Sequence, residues 1–99
     1  MCGCVVSAWT YILANKPKGV LYIGVTADLA RRMMQHRAGI GSAFCRKYGI
    51  QRLVHAEEHG DIHAAIAREK AMQAWKRAWK IELIETANPG WDDLFEQMI

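Results

Sequence analysis

The sequence lacks the features of exported, membrane-spanning or disulfide-stabilised chains. It has only three cysteines, and an odd count that includes one close pair, Cys2 and Cys4, is a poor framework for disulfides. No apolar run approaches the roughly 20 residues that a membrane helix needs, and the start of the chain lacks the basic and apolar segments of a secretory signal. We therefore expect a protein of a reducing compartment, the cytoplasm, with no membrane association.

Low-complexity segments, repeats and a large excess of one charge are also missing. Hydrophobic residues make up 52% of the 99-residue chain and charged residues 23%, a composition typical of one globular domain. The formal net charge of +3 only weakly favours a polyanionic partner. We place the domain at residues 9–94, between an N-terminal tail (1–8) and a C-terminal tail (95–99).

Hydrophobic alternation and turn residues predict the order β-β-α-β-α-α. Three strands are predicted, at residues 9–14, 20–25 and 52–58. The first two form a hairpin with a five-residue loop in which Gly19 can take a positive φ. Helices are predicted at about 28–37, 62–77 and 80–86, with a short helical tail at 91–98. This order is typical of an α+β fold, a small three-stranded antiparallel sheet flanked by helices.

The first predicted helix carries an arginine beside its apolar stripe. At about 100° per residue, Arg32 and His36 lie within about 60° of Leu29, whereas Arg31 lies on the far side. A guanidinium at the edge of a core needs an anion. That anion could be a structural carboxylate or a substrate phosphate, and the residues alone leave both open.

The long predicted helix carries a carboxylate inside its apolar stripe. Helical spacing places Glu69 between Ala65 and Ile66, in the centre of the apolar stripe and facing inward. A carboxylate in that position must be paired, protonated or bound to a metal. A salt bridge to Arg32 or Lys76, protonation and Mg²⁺ binding all remain open, and a helix that overhangs the sheet edge would leave Glu69 in a cleft.

Aromatic residues and one glycine complete the set of candidates. Tyr11 and Tyr22 have hydroxyls that need a partner when they are buried. Gly24 interrupts the second strand, which often marks a close approach of the backbone. Trp75 and Trp79 share a helical face, and we predict that they pack in the core rather than stack on bases.

The spacing of these residues follows a known pattern. Tyr11 ends Trp9-Thr10-Tyr11, and Tyr22-Ile23-Gly24 begins eleven residues later; Arg32 comes ten residues after Tyr22. His36, Glu69 and Asn88 follow in order. The chain thereby resembles the GIY-YIG endonuclease superfamily, and above all its short bacterial members, the YhbQ-like or UPF0213 group. The likeness extends from residue 9 to 94, and residues 21–32 are its most specific part.

The resemblance implies catalytic roles for the matching positions. Tyr11 and Tyr22 match the two motif tyrosines, one of which would orient or deprotonate the attacking water. Arg32 matches the arginine that steadies the phosphate. His36 matches a residue that lies near the scissile group. Glu69 matches the single carboxylate that holds the metal, Mg²⁺ or Mn²⁺.

Substrate contacts are implied at four further positions: Gly24, Lys47, Lys76 and Asn88. Gly24 belongs to the second motif, and Asn88 matches a polar residue at the far end of the site. The two lysines belong to a larger set that could line a phosphate track, with Lys16, Lys18, Arg37, Arg46, Lys70, Arg77 and Lys80. The first motif departs from the family, because only its tyrosine is retained, and Cys45 stands where small relatives often have threonine.

The activity implied is metal-dependent hydrolysis of nucleic-acid phosphodiester bonds, with DNA favoured over RNA. Two alternatives share the fold: a non-catalytic nucleic-acid-binding module acting with a partner in DNA repair or processing, and a subunit whose protein partner supplies specificity. The presence of both tyrosines, the arginine, the histidine and the glutamate favours catalysis over binding alone.

Overall fold

The fold is a three-stranded antiparallel sheet with helices on both faces, so the predicted α+β class is confirmed. The structure is a computed structural model and describes residues 7–97. In chain order the elements are β1 (Ala8–Ala14), β2 (Leu21–Thr26), α1 (Leu29–Arg37), α2 (Ala43–Tyr48), β3 (Arg52–His59), α3 (Ile62–Ala74), α4 (Arg77–Ala87) and a 3₁₀ helix (Leu94–Gln97). Cys2 and Cys4 of the predicted N-terminal tail, and residues 98–99, lie outside the described residues. No helix of residues 7–97 is long and apolar enough to cross a membrane.

The central strand of the sheet is β1, with β2 and β3 on its two sides. The β1–β2 register places Tyr11 opposite Gly24 and Leu13 opposite Tyr22. Opposite residues of an antiparallel pair point to the same face. Tyr11 and Tyr22 therefore share one face of the sheet, and β2 forms one of its edges.

Two hydrophobic clusters cover the two faces of the sheet. The first cluster contains Tyr11 and Leu13 of β1 together with buried residues of α1, α2 and the 3₁₀ helix. The second cluster contains Ile12 and Ala14, the alternate β1 residues, together with buried residues of α3 and α4. Phe95 is 6% exposed within the first cluster, so the packed unit extends past the predicted boundary at residue 94.

Side-chain caps fix the starts of three helices. Asp28 accepts a hydrogen bond from the backbone N–H of Arg31 at the start of α1, and Asp61 accepts one from Ala64 at the start of α3. Aspartate is a favoured residue at this position, because its side-chain oxygen satisfies a free backbone N–H of the first turn. Ser42 caps α2, a six-residue helix that the sequence analysis missed.

Three local predictions are wrong in detail. The predicted helix at 62–77 ends at Ala74, because Trp75 and Lys76 adopt extended backbone angles, and the next helix begins at Arg77 rather than at residue 80. The hairpin loop has six residues, 15–20, and its positive φ falls on Lys18. Gly19 is needed for space instead, since a Cβ there would lie 2.0 Å from Oδ1 of Asn15.

The helix break also changes the environment of the two tryptophans. Trp75 packs partly against the second cluster, whereas Trp79 is 53% exposed and meets Trp75 edge to face. The predicted core position is therefore wrong for Trp79. The reason is that the two residues no longer belong to one continuous helix, so the expected shared face does not exist.

Glu57 on β3 anchors α3 through a charged network. Its carboxylate accepts two hydrogen bonds from Arg68, at 2.8 and 3.0 Å, and lies 2.8 Å from Nε2 of His55. Burial raises the pKa of Glu57, but the hydrogen bonds from Arg68 and His55 outweigh it and hold the pKa below its usual 4.5. The ion pair therefore ties one side of α3 to the β3 edge of the sheet.

Glu57→Gln is expected to lower the free energy of unfolding by about 1–3 kcal/mol at neutral pH, because it removes charge-assisted hydrogen bonds. Since the folded pKa is the lower one, the carboxylate stabilises the fold above pH 4.5 and loses this effect as the pH falls through the folded pKa. Urea unfolding at several pH values should show that the free energy of unfolding decreases less toward acid pH in the variant than in the wild type. The control is Glu58→Gln, which alters the exposed neighbouring carboxylate; equal losses in both variants would contradict the role of Glu57.

Candidate active site

Tyr11 and His36 form a buried polar pair between β1 and α1. They are 1% and 3% exposed, and the Tyr11 hydroxyl lies 3.2 Å from Nε2 of His36. Burial raises the pKa of Tyr11 far above its ordinary value, and burial together with the Arg32 charge lowers the pKa of His36. At neutral pH both groups are therefore uncharged.

Tyr22 lies beside this pair but is only partly buried. Its ring centroid is 6.4 Å from that of Tyr11 and 5.6 Å from that of His36. Burial raises the pKa of Tyr22, Cys45 and Glu69 add to the rise, and Arg32 opposes it. The phenol of Tyr22 thus lies within electrostatic reach of both Arg32 and Glu69.

Two glycines make room for the buried pair. A Cβ on Gly24 would lie 2.5 Å from the Tyr11 hydroxyl oxygen and 2.6 Å from Cζ of the ring, so the Tyr11 ring lies directly over the backbone of β2. A Cβ on Gly41 would lie 2.9 Å from Nδ1 of His36. Sequence reasoning identified Gly24 but missed Gly41, for which the only signal was a glycine repeated in the loop after α1.

Gly24→Ala is expected to destabilise the fold by about 1–3 kcal/mol, because the new methyl group forces the Tyr11 ring from its place. Urea unfolding gives the change in free energy. The matched control is Gly60→Ala, where a Cβ would meet nothing within 4 Å. A Gly24→Ala protein as stable as the Gly60→Ala protein would refute the close packing of Tyr11 on β2.

Arg32 and Glu69 are both near this region, and neither has an ion-pairing partner among the residues that the structure describes. Within residues 7–97 the ion pairs join Arg37 to Asp93 and join Glu57 to its neighbours; none includes Arg32 or Glu69. The structural salt bridges that the sequence left open for both residues are therefore not formed in the described part of the chain. Both side chains remain available to a ligand.

Glu69 lies at the border of the buried face of α3, not at its centre. Ala65 and Met72 are fully buried, whereas Glu69 is half-buried and accepts a hydrogen bond from Nε2 of Gln73 at 3.1 Å. The neighbouring Arg68 pairs with Glu57 on β3, whereas Glu69 is close enough to β2 for its charge to raise the pKa of Tyr22. The predicted inward position is corrected to this edge position.

The other predicted contact residues lie outside this cluster or are engaged elsewhere. Asn88 is buried and donates to the carbonyls of Val54 and Asp92, and its own carbonyl accepts from the N–H of Asp92. Its amide therefore holds the turn after α4. Lys47 and Lys76 are exposed, with their ammonium groups over the rings of Tyr48 and Trp79.

The donor set fits a magnesium or manganese ion better than zinc. No three His, Cys, Asp or Glu side chains among residues 7–97 are grouped to hold a metal. Structural and catalytic zinc sites need three or four protein ligands. Mg²⁺ keeps several of its waters and takes one or two carboxylates together with substrate phosphates, which one free carboxylate such as Glu69 can satisfy.

Comparison with known proteins identifies the family and supports the fold. The model of the GIY-YIG catalytic domain family matches residues 7–82. A UPF0213 protein of Yersinia pestis (strain Pestoides F) and one of Yersinia pseudotuberculosis serotype O:3 are each 36% identical over 78 residues, which cover 79% of this chain and 82% of each relative. The solution NMR structure of the UPF0213 protein BH0048 of Bacillus halodurans is similar with a TM-score of 0.55 and 26% identity, covering 88% of this chain and 92% of that one. The match to the family model includes Tyr11, Tyr22, Arg32, His36 and Glu69 and ends before Asn88.

Proposed function

Because the chain belongs to the GIY-YIG family, as its resemblance predicted, we propose that it is a metal-dependent endonuclease that hydrolyses phosphodiester bonds of nucleic acid, with DNA favoured over RNA. One observation carries the proposal. Tyr22, with Arg32 and Glu69 within electrostatic reach, lies at the β2 edge of the sheet, and neither charged group is committed to an ion pair among the described residues.

Arg32 and Glu69 supply the charges that phosphodiester hydrolysis requires. The guanidinium can donate two parallel hydrogen bonds to a phosphate and neutralise charge that develops in the transition state. Glu69 would hold Mg²⁺ or Mn²⁺, which when bound supplies Lewis-acid stabilisation at the phosphate. The reaction also requires a general base that takes a proton from the attacking water and a general acid that protonates the leaving oxygen.

The two tyrosines have different roles in this proposal. Tyr11 remains protonated and bonded to His36, so it positions the neighbouring groups and does not take a proton. Tyr22 is the more exposed phenol and lies within electrostatic reach of Arg32 and Glu69, so we assign to its hydroxyl the orientation of the attacking water. Since the pKa of each phenol is raised, neither is a preformed base at neutral pH.

The test is incubation of the pure protein with branched, flapped, single-stranded and plasmid DNA and with RNA, in Mg²⁺, Mn²⁺ or EDTA. Cleavage that requires the metal supports the proposal. A protein that binds one of these substrates but cuts none of them is instead a binding module of the same fold. The cytoplasmic location and a protein partner that supplies specificity stay predictions.

A further inference from the structure

A basic cleft lies between the β1–β2 loop and the start of α4. It has a volume of about 580 Å³ and is lined by Asn15, Lys16, Gly19, Val20, Leu21, Arg77 and Lys80. Three of these residues are cations, and no acidic residue contributes to the lining in the described part of the chain. The cleft is therefore a concave surface of one charge sign, which concentrates anions.

Arg77 is held in a fixed orientation at this cleft. Its Nη2 donates to the carbonyl oxygens of Lys18, at 2.7 Å, and Gly19, at 2.5 Å. The positive φ of Lys18 shapes the loop that presents these carbonyls. A guanidinium has five N–H donors, and those on Nε and Nη1 meet no protein acceptor within residues 7–97. Arg77 is thus preorganised, with donors left for an anion.

The cleft and the candidate active site share the edge strand β2, with Tyr22 packed on one face of the sheet and Leu21 on the other. Val20 and Leu21 line the cleft, and Tyr22 is the next residue of the chain. Because β2 is an edge strand, a nucleic-acid strand that crosses this edge at Tyr22 would run from the face of Tyr22 toward the cleft on the other face.

We propose that this cleft binds the backbone phosphates that flank the cleavage site, with Arg77 as an oriented hydrogen-bond donor and Lys16 and Lys80 as the neighbouring charges. This inference rests on the proposed function, because the path of the strand is defined by the catalytic groups. Contacts to phosphates carry no base information. The cleft therefore supplies affinity that depends on salt and not on sequence.

The test compares two double variants of the full chain with equal loss of charge. Lys16→Ala/Lys80→Ala removes two cleft cations, and Gln51→Glu/Ala64→Glu lowers the net charge by the same amount at two exposed positions elsewhere. Binding of labelled oligodeoxythymidine is measured in EDTA across a salt series. The cleft variant is expected to bind about 10-fold more weakly, with the slope of log K against log salt reduced by about 1 to 2. The control variant should bind like the wild type.

A second readout separates this inference from the proposed activity. Hydrolysis of bis(para-nitrophenyl) phosphate in Mn²⁺ needs only the catalytic groups, because this diester is too small to reach the cleft. The cleft variant should hydrolyse it at the wild-type rate. Unchanged oligonucleotide binding by the cleft variant, or a wild type that does not bind the oligonucleotide, overturns the cleft assignment. A wild type that hydrolyses no diester, while the cleft variant still loses binding, overturns the nuclease proposal alone.

Discussion

Glutamine at position 69 is expected to lower the rate of metal-dependent cleavage by about a thousand-fold, with binding in EDTA unchanged. The amide has the shape of the carboxylate and can still accept the hydrogen bond from Gln73. It lacks the negative charge that holds a divalent cation, so the variant isolates the metal-binding role of Glu69 from its packing. Single-turnover cleavage of the best substrate measures the effect.

Glu58→Gln provides the control for this experiment. Glu58 is an exposed carboxylate on β3, and its loss changes the net charge by the same amount as Glu69→Gln. We expect the control to cut at the wild-type rate. Cleavage by Glu69→Gln at the rate of the control would remove Glu69 from the proposed metal site.

Local sequence signals predicted the elements that local interactions stabilise. The hairpin strands are rich in β-branched and aromatic residues, and Asp28 and Asp61 satisfy the first backbone donors of their helices. These preferences act within a few residues, so they can be recognised without the tertiary structure. The order of elements and the α+β class follow from them.

Elements fixed by tertiary contacts were missed or misplaced. Helix α2 has six residues and only one of them, Cys45, is buried, which is too short a segment for a helical period. The break at Trp75 and Lys76 involves neither proline nor glycine. It allows Met72 of α3 and Ile84 of α4 to pack in the same cluster on the sheet. That requirement comes from the three-dimensional packing and leaves no local signal.

In the candidate site, too, local signals identified the residues, whereas tertiary contacts determined where one of them lies. Sequence spacing selected Tyr22, Arg32 and Glu69, but the helical wheel placed Glu69 at the centre of the buried face. Arg68 pairs with Glu57 on β3, and Glu69 lies beside the buried face of α3, where its charge reaches Tyr22. Because this pairing joins residues eleven apart on different elements, a wheel drawn for one helix cannot include it.

Substitution of the two adjacent arginines on α1 is expected to have very different effects on the cleavage rate. Arg32 is half-buried and its charge acts on Tyr11, Tyr22 and His36, whereas Arg31 is exposed. If Arg32 steadies the phosphate, Arg32→Ala should lower the cleavage rate by about 100- to 1,000-fold, the effect of removing one transition-state donor. Arg31→Ala removes the same charge one residue away and should change the rate by less than about 3-fold.

Arg32→Lys separates charge from geometry in this prediction. Lysine keeps the positive charge but cannot form the paired hydrogen bonds of a guanidinium with a phosphate. We expect it to restore only part of the rate lost in Arg32→Ala, in single-turnover cleavage under the conditions used for Glu69→Gln. Full activity in Arg32→Lys would mean that charge alone suffices at this position. Equal losses in Arg31→Ala and Arg32→Ala would mean that the inward arginine has no special contact with the substrate, and the proposed phosphate site would then have to be abandoned.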